Sequence, residues 1–309
     1  MMNTAPQHAS SAHPLSWWHT FVDHIHKPSR WTAHQFSLVR IILGAYLTLH
    51  FASLLPWGVE MFSNQGVIPL AAHSPLIKAF PNLLAWMDDP LYILSVLGTG
   101  TLASVGLMLG LKRRVMALLL WYIWAILLGR NPLILNPGIP YVGWMLLCFA
   151  AIPSAPAWSM DALKNKDKST RWHLPSGYIT VAWIIMVVGY SYSGLMKLGS
   201  LSWIDGTALE HVLQGPLAHT TWLREVLVSQ PMCLKLLTWS TLALELFAAP
   251  LALIKRLRPV LWWAFIGLHV GILCTINFAD LTLGMLMIHL LTWNPSWPAP
   301  WKLIKHKKS

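Results

Sequence analysis

The sequence predicts an all-α integral membrane protein, a polytopic bundle of about eight transmembrane helices with the N-terminus and C-terminus both cytoplasmic. Three observations carry this. Hydrophobic residues make up 55% of the 309-residue chain and charged residues only 11%, whereas a soluble domain carries about 25% charged residues. The apolar residues gather into stretches of roughly the length a helix needs to cross a bilayer. Lysine and arginine alternate with these stretches. With the N-terminus placed inside, 17 of them fall on inner segments or inner helix ends and 5 on outer ones, the bias that the positive-inside rule expects.

Residues 1–34 read as an N-terminal tail. Trp17, Phe21 and Ile25 share one face of a short amphipathic helix, suited to lying on the membrane surface. Met1 to Pro14 is polar and has no apolar core of a secretory signal. Residues 35–297 form the transmembrane domain. Its first span runs from about Phe36 to Leu55. A Gly- and Pro-containing outer segment follows, Trp57 to Pro90, with Asn64-Gln65-Gly66-Val67-Ile68-Pro69 inside it. The second span covers about Leu91 to Leu111 and is closed by Lys112, Arg113 and Arg114. The third, about Val115 to Gly129, is short enough to tilt or be partly buried. Asn136-Pro137-Gly138 turns into the fourth, about Ile139 to Trp158. A basic linker, Ser159 to Leu174, leads to the fifth, about Ser176 to Leu198. A second outer segment, Gly199 to Met232, precedes the sixth span, about Leu234 to Ile254. The seventh is about Val260 to Phe278. Ala279 and Asp280 make a tight turn into the eighth, about Leu281 to Trp293. Residues 298–309 are a basic cytoplasmic tail.

This pattern excludes several classes. The net charge of +11 comes from residues set between apolar runs, where they meet lipid headgroups, so nucleic acid is not a partner. Cys148, Cys233 and Cys274 are isolated, without a disulfide or metal spacing. No HxxxH or HExxH is present, and no metal site is expected. The 19 tryptophans suit an interfacial aromatic belt and also fill helix contacts.

Ionisable side chains are costly in lipid and persist where they find partners in the bundle interior. Arg40 sits about one turn inside the first span, to snorkel toward headgroups or to meet a buried carboxylate. Glu245 and His269 lie near the middle of the sixth and seventh spans, at a similar depth, where they can meet as a structural or proton-handling pair. His50 and His289 are single histidines on apolar helices and read as packing groups. Lys197 follows Tyr190-Ser191-Tyr192-Ser193-Gly194. Tyr190, Gly194 and Lys197 share a helical face, and Gly194 admits close approach of a backbone or a ligand. Lys197 is either an interfacial snorkelling lysine or, poorly solvated, an amine able to act as a general base.

Together these motifs resemble the HTTM family, the horizontally transferred transmembrane domain, shared with the membrane domain of vitamin K-dependent gamma-carboxylase. The resemblance rests on Leu38-Val39-Arg40-Ile41-Ile42-Leu43-Gly44, on Asn64 to Pro69, on Tyr192 to Leu198 with Trp203-Ile204-Asp205-Gly206-Thr207-Ala208-Leu209, and on Leu244-Glu245-Leu246 through Pro250 with His269. It implies that Lys197, in Gly194-Leu195-Met196-Lys197-Leu198, stands where the carboxylase has the lysine proposed to deprotonate reduced vitamin K. The carboxylase's large luminal domain and its histidine near the loop matching Leu135 to Tyr141 have no counterpart in this sequence, so peptide carboxylation itself is not expected. Smaller relatives include a bacterial membrane protein needed to mature a secreted peptide toxin.

Two functions follow. One is a membrane enzyme or maturation factor in which Lys197 is the base, assisted by Glu245 and His269. It would act near the outer leaflet on a quinone-like ligand, a lipid or a membrane-delivered peptide. Tyr190, Gly194, Trp203, Asp205 and Arg40 would shape the ligand pocket. The alternative is a non-enzymatic binding, transport or scaffold protein. The partners expected are the lipid bilayer and a secreted peptide or a separate soluble protein, at a bacterial inner (plasma) membrane.

Overall fold

The computed structural model describes residues 26–153, 157–164 and 172–297. The surface helix expected over Trp17 to Ile25 and the basic tail lie outside the described residues, as do residues 165–171 of the basic linker. Within the described residues the chain is helical, and its few β-bridges are isolated.

A helix occupies each of the eight apolar stretches. They are α1 (Ala33–Leu54), α2 (Pro90–Leu109), α3 (Arg113–Arg130), α4 (Gly138–Ala151), α5 (Ser176–Lys197), α6 (Pro231–Leu246), α7 (Arg258–Thr275) and α8 (Ala279–Thr292). Four helical stretches are long and apolar enough to cross a membrane: Ala33–Phe62, Pro90–Leu109, Ser176–Lys197 and Arg258–Thr275. Helices α4 and α8 have 14 residues each, about 21 Å at 1.5 Å per residue, short of a hydrocarbon core of about 30 Å.

Local chemistry sets the helix ends. Thr32 caps α1 in a reciprocal box with Gln35. Asp89 caps α2, with Pro90 at its first position. The fourth helix stops at Ala151, well before the expected Trp158. Pro153 follows directly and pushes Ile152 to an extended ψ of 139°. The exposed carbonyls of Phe149 and Ile152 accept from the buried Arg113 guanidinium, a cation at a helix C-terminus. The seventh helix stops at Thr275, because the next residues pair with the α5–α6 segment, Asn277 N–H donating to Leu217 O at 2.6 Å.

The helices pack as two groups around a shared axis. Helices α1 to α4 contact one another in sequence, α5 packs on α6, and α8 touches α1, α4, α5 and α7. Its central place explains why eight of its fourteen residues are buried. Glycines permit its closest contact: a Cβ on Gly138 of α4 would lie 3.0 Å from the Cα of Gly284, so these two helices meet backbone to backbone. The last carbonyls of α8 lack intrahelical donors, an unsupportable state in lipid. Three indoles supply them. Trp262 donates to His289 O at 3.0 Å, Trp183 to Thr292 O at 3.0 Å and Trp31 to Trp293 O at 3.1 Å. These tryptophans are buried, so part of the expected aromatic belt is a helix-capping cluster. On the bundle's outside, Leu102, Val188 and Val260 are exposed along apolar helices, as befits side chains that meet acyl chains.

The segment between α1 and α2 is anchored by the end of α3. Arg130 is fully buried and its Nη2 donates to Ser63 O at 3.1 Å, Ile68 O at 2.7 Å and Asp88 Oδ2 at 2.9 Å. Ser74 and Asn82 return the favour, donating to Gly129 O at 2.6 Å and Ile126 O at 3.0 Å. The Asn64 to Pro69 motif is therefore a loop wrapped on a buried cation.

Candidate functional site

The sixth apolar stretch is one span in the sequence and two helices in space, α6 and a short continuation Ala248–Leu253, broken at Phe247. Pro250 is the cause, since it has no N–H for the Leu246 carbonyl and its ring crowds that oxygen. Ser191 of α5 repairs the break. Its hydroxyl donates to Leu246 O at 3.1 Å and accepts from Ala249 N–H at 2.9 Å. Gly194, one turn on, lets the helices close: a Cβ there would stand 2.6 Å from Leu246 Cα. The glycine predicted to admit a neighbour does so, and the neighbour is the α6 backbone.

That approach brings Glu245 to Lys197. The Lys197 ammonium forms an ion pair with Glu245 Oε2 and donates to Ser193 Oγ at 3.0 Å. It also lies 4.8 Å from the centre of the Trp203 ring, a cation–π contact from the short helix Leu201–Asp205. The Glu245 side chain is 9% exposed and that of Lys197 20%. Lys197 is thus a paired, half-buried cation rather than one stretched toward headgroups.

Glu245 and His269 do not bond to each other. The carboxylate turns to Lys197, while His269 Nε2 lies 2.6 Å from the Tyr190 hydroxyl. Tyr190 is stacked on Phe265 at 3.6 Å and lies 3.4 Å from His289 Nε2. His289 Nδ1 is 2.9 Å from Met285 O and must donate to it, which leaves its Nε2 as an acceptor. The arrangement that satisfies both Tyr190 contacts runs from His269 Nε2–H to the Tyr190 oxygen, and from the Tyr190 O–H to His289 Nε2. It leaves His269 Nδ1 as a lone pair, and that atom is buried without a partner among the described residues. Lys197, Glu245, Tyr190 and His269 line one cavity of about 160 Å³ together with Tyr141 and Met285, and His289 lies behind Tyr190.

Two other expected pocket residues lie elsewhere. Arg40 is buried on α1, outside this cavity, where its Nη2 donates to Trp158 O. It met a backbone carbonyl rather than a carboxylate, because α1 packs there on the chain beyond α4. Asp205 is exposed and closes its own turn. Its Oδ1 accepts from the Thr207 hydroxyl at 2.7 Å and the Thr207 amide at 2.9 Å. Those bonds hold its carboxyl below the usual carboxylate range. Ser193 and His289 join the site without having been expected there. The spacing of Ser193 to Lys197, one helical turn, was the available signal.

No metal-holding group of three His, Cys, Asp or Glu occurs among the described residues. No curated protein and no solved structure gives a significant match to the chain. Among family models, that of the HTTM domain matches residues 29–297, nearly the whole sequence and every helix described above. With helices apolar enough to cross a bilayer and this match, the chain is a membrane protein that belongs to the HTTM family.

Proposed function

We propose that the protein is a membrane enzyme or maturation factor in which Lys197 and Glu245 move a proton from an acidic hydroxyl of a quinone-like or lipid ligand, or of a membrane-delivered peptide. One observation carries the reading: an ammonium–carboxylate pair lines a small cavity together with His269, whose buried Nδ1 is an unused lone pair. Such an orphan is costly unless a guest satisfies it. A ligand hydroxyl would bridge it. Passage of the shared proton to Glu245 leaves Lys197 as a free amine. The amine then takes the ligand's proton, giving an ammonium beside the ligand oxyanion and a protonated Glu245. Tyr190, locked by Phe265 and two histidines, holds the imidazole in place.

The experiment uses 1,4-naphthohydroquinone, kept anaerobic, with the purified full chain at neutral pH. Bound to the wild type it should show the red-shifted absorption of its anion, and Lys197→Met should lose that signal. Binding with the neutral spectrum would favour the non-enzymatic alternative, a binding, transport or scaffold protein, which the paired state of Lys197 also suits. No binding would remove the hydroquinone class.

The threading proposed with this function has eight crossings. The 1–34 tail and the 298–309 tail lie in the cytoplasm, residues 35–297 in the membrane, and Lys197 near the outer leaflet of a bacterial plasma membrane. The distribution of 17 inner against 5 outer lysines and arginines supports it. Reporter tags inserted after Arg114 and after Pro216 should therefore report opposite compartments. The same compartment for both would overturn the threading.

A further inference from the structure

We propose that His50 and Asp280 form a second site, distinct from that of Lys197, which binds an amphipathic lipid through a hydroxyl head. Asp280 was expected in a turn. It lies instead in the first turn of α8, where a carboxylate is favoured by the helix N-terminus. Its Oδ1 is 2.7 Å from His50 Nδ1 and accepts from the Tyr46 hydroxyl at 2.8 Å, and its Oδ2 accepts from Asn136 Nδ2 at 3.1 Å. Two helices, α1 and α8, and the loop before α4 thus converge on one carboxylate. Asn136 is itself fixed, its Oδ1 accepting from Gly138 N–H at 2.8 Å. The His50 ring rests 4.7 Å from that of Trp124.

This dyad sits on the wall of a cavity of about 480 Å³, a size typical of small-molecule sites. The cavity is separate from the one at Lys197. Asn136 and Leu283 face the His50 cavity, whereas Pro137 and Met285, on the same two segments, face the other. Apart from the dyad and its partners the walls are mostly aliphatic and aromatic. Leu49 and Leu133, 69% and 78% exposed, line its rim. Leu49 belongs to a helix apolar enough to cross the membrane, so the mouth opens toward acyl chains and admits a guest sideways from the bilayer.

The chemistry of the head follows from the dyad. A carboxylate that already accepts from Tyr46 and Asn136 fixes His50 as a third donor through Nδ1–H, which leaves Nε2 as an acceptor. Nε2 carries no hydrogen bond among the described residues. The guest must therefore bring a donor, and an uncharged one. An anion would meet the Asp280 carboxylate, and a cation would find that carboxylate already filled by its three partners. A long-chain alcohol or phenol fits: the hydroxyl donates to Nε2 and the chain fills the apolar walls and leaves by the leucine rim.

The test uses the full-length protein in lipid nanodiscs with a diazirine-bearing hexadecanol and its methyl ether. Light should label wild-type α1 and the 131–139 segment, and unlabelled hexadecanol should compete. The methyl ether, which cannot donate, should label about three- to tenfold less, the range for loss of one neutral hydrogen bond. His50→Phe should reduce alcohol labelling to the ether's level. Leu49→Trp fills the rim without touching the dyad, so it decides the matter if the histidine variant does not fold. It should lower labelling by both probes and leave the unfolding temperature unchanged. Equal labelling by alcohol and ether, or wild-type labelling of a folded Leu49→Trp, would overturn the proposal.

Discussion

Lys197→Met is expected to destabilise the protein by about 3–5 kcal/mol, the cost of leaving a buried charge without its partner. Glu245 would be that orphan, with a side chain only 9% exposed and Lys197 as its ion-pair partner. The double variant Lys197→Met/Glu245→Leu removes both charges and should recover most of the loss, because apolar replacement of a buried pair is near neutral. It should remain unable to ionise bound naphthohydroquinone. Thermal unfolding in detergent measures the first quantity and absorption of the bound hydroquinone the second. The combination separates a pair kept for stability from a pair kept for chemistry. Recovery of the ionised spectrum in the double variant would assign the chemistry to other groups. A wild-type unfolding temperature in Lys197→Met would show that the carboxylate does not depend on the lysine.

Arg130→Met should be at least as damaging. The Arg130 side chain is wholly buried and a single nitrogen serves two backbone carbonyls and the Asp88 carboxylate. Charge-assisted bonds of this kind contribute more than neutral ones, and their loss strands Asp88 at 17% exposure. A cost of about 3–5 kcal/mol is expected, concentrated between Ser63 and Asp88. Limited proteolysis should cut the variant inside that segment while the helices resist. Arg130→Lys keeps the charge but offers a point donor in place of a planar fork, so it should fall between the two. A variant that resists cleavage like the wild type would mean that the loop holds itself.

The contrast between these two cations shows what was legible beforehand. Each apolar stretch announced a helix, since in lipid the run of apolar residues is itself the element, and four of the resulting helical stretches are long and apolar enough to cross a membrane. The helix ends were less legible. Trp158 and Phe278 looked like continuations; Pro153 was the available signal for the end of α4, and only the pairing of Asn277 with Leu217 shows why α7 stops early. At the site, Lys197, Glu245, Tyr190 and His269 were all visible as polar residues in apolar surroundings, and all four line one cavity. Their pairing was not visible. Similar depth suggested Glu245 with His269, but the rotation of α6 just before its break at Phe247 decides which way the carboxylate turns, and that rotation depends on Ser191 and Gly194 of another helix. Arg40 and Asp205 carried the same signal as the true lining residues, and nothing along the chain tells a carbonyl partner or a local turn from a pocket. Asp280 read only as a turn residue, because an acidic residue at the start of a helix is ordinary.

The serine that mends the bend before Pro250 has a mechanical consequence. One hydroxyl bonds both sides of the break, the glycine below it brings the two backbones together, and the charged pair closes the far end. Helices α5 and α6 are thereby riveted at three heights and travel as a single plank. The chamber beside Lys197 can swell only where its fastenings are few. That wall is α7, whose membrane-length stretch is 22% buried against 33–44% for the other three. A guest larger than the chamber would therefore shoulder α7 aside and take the Tyr190–His269 bond with it.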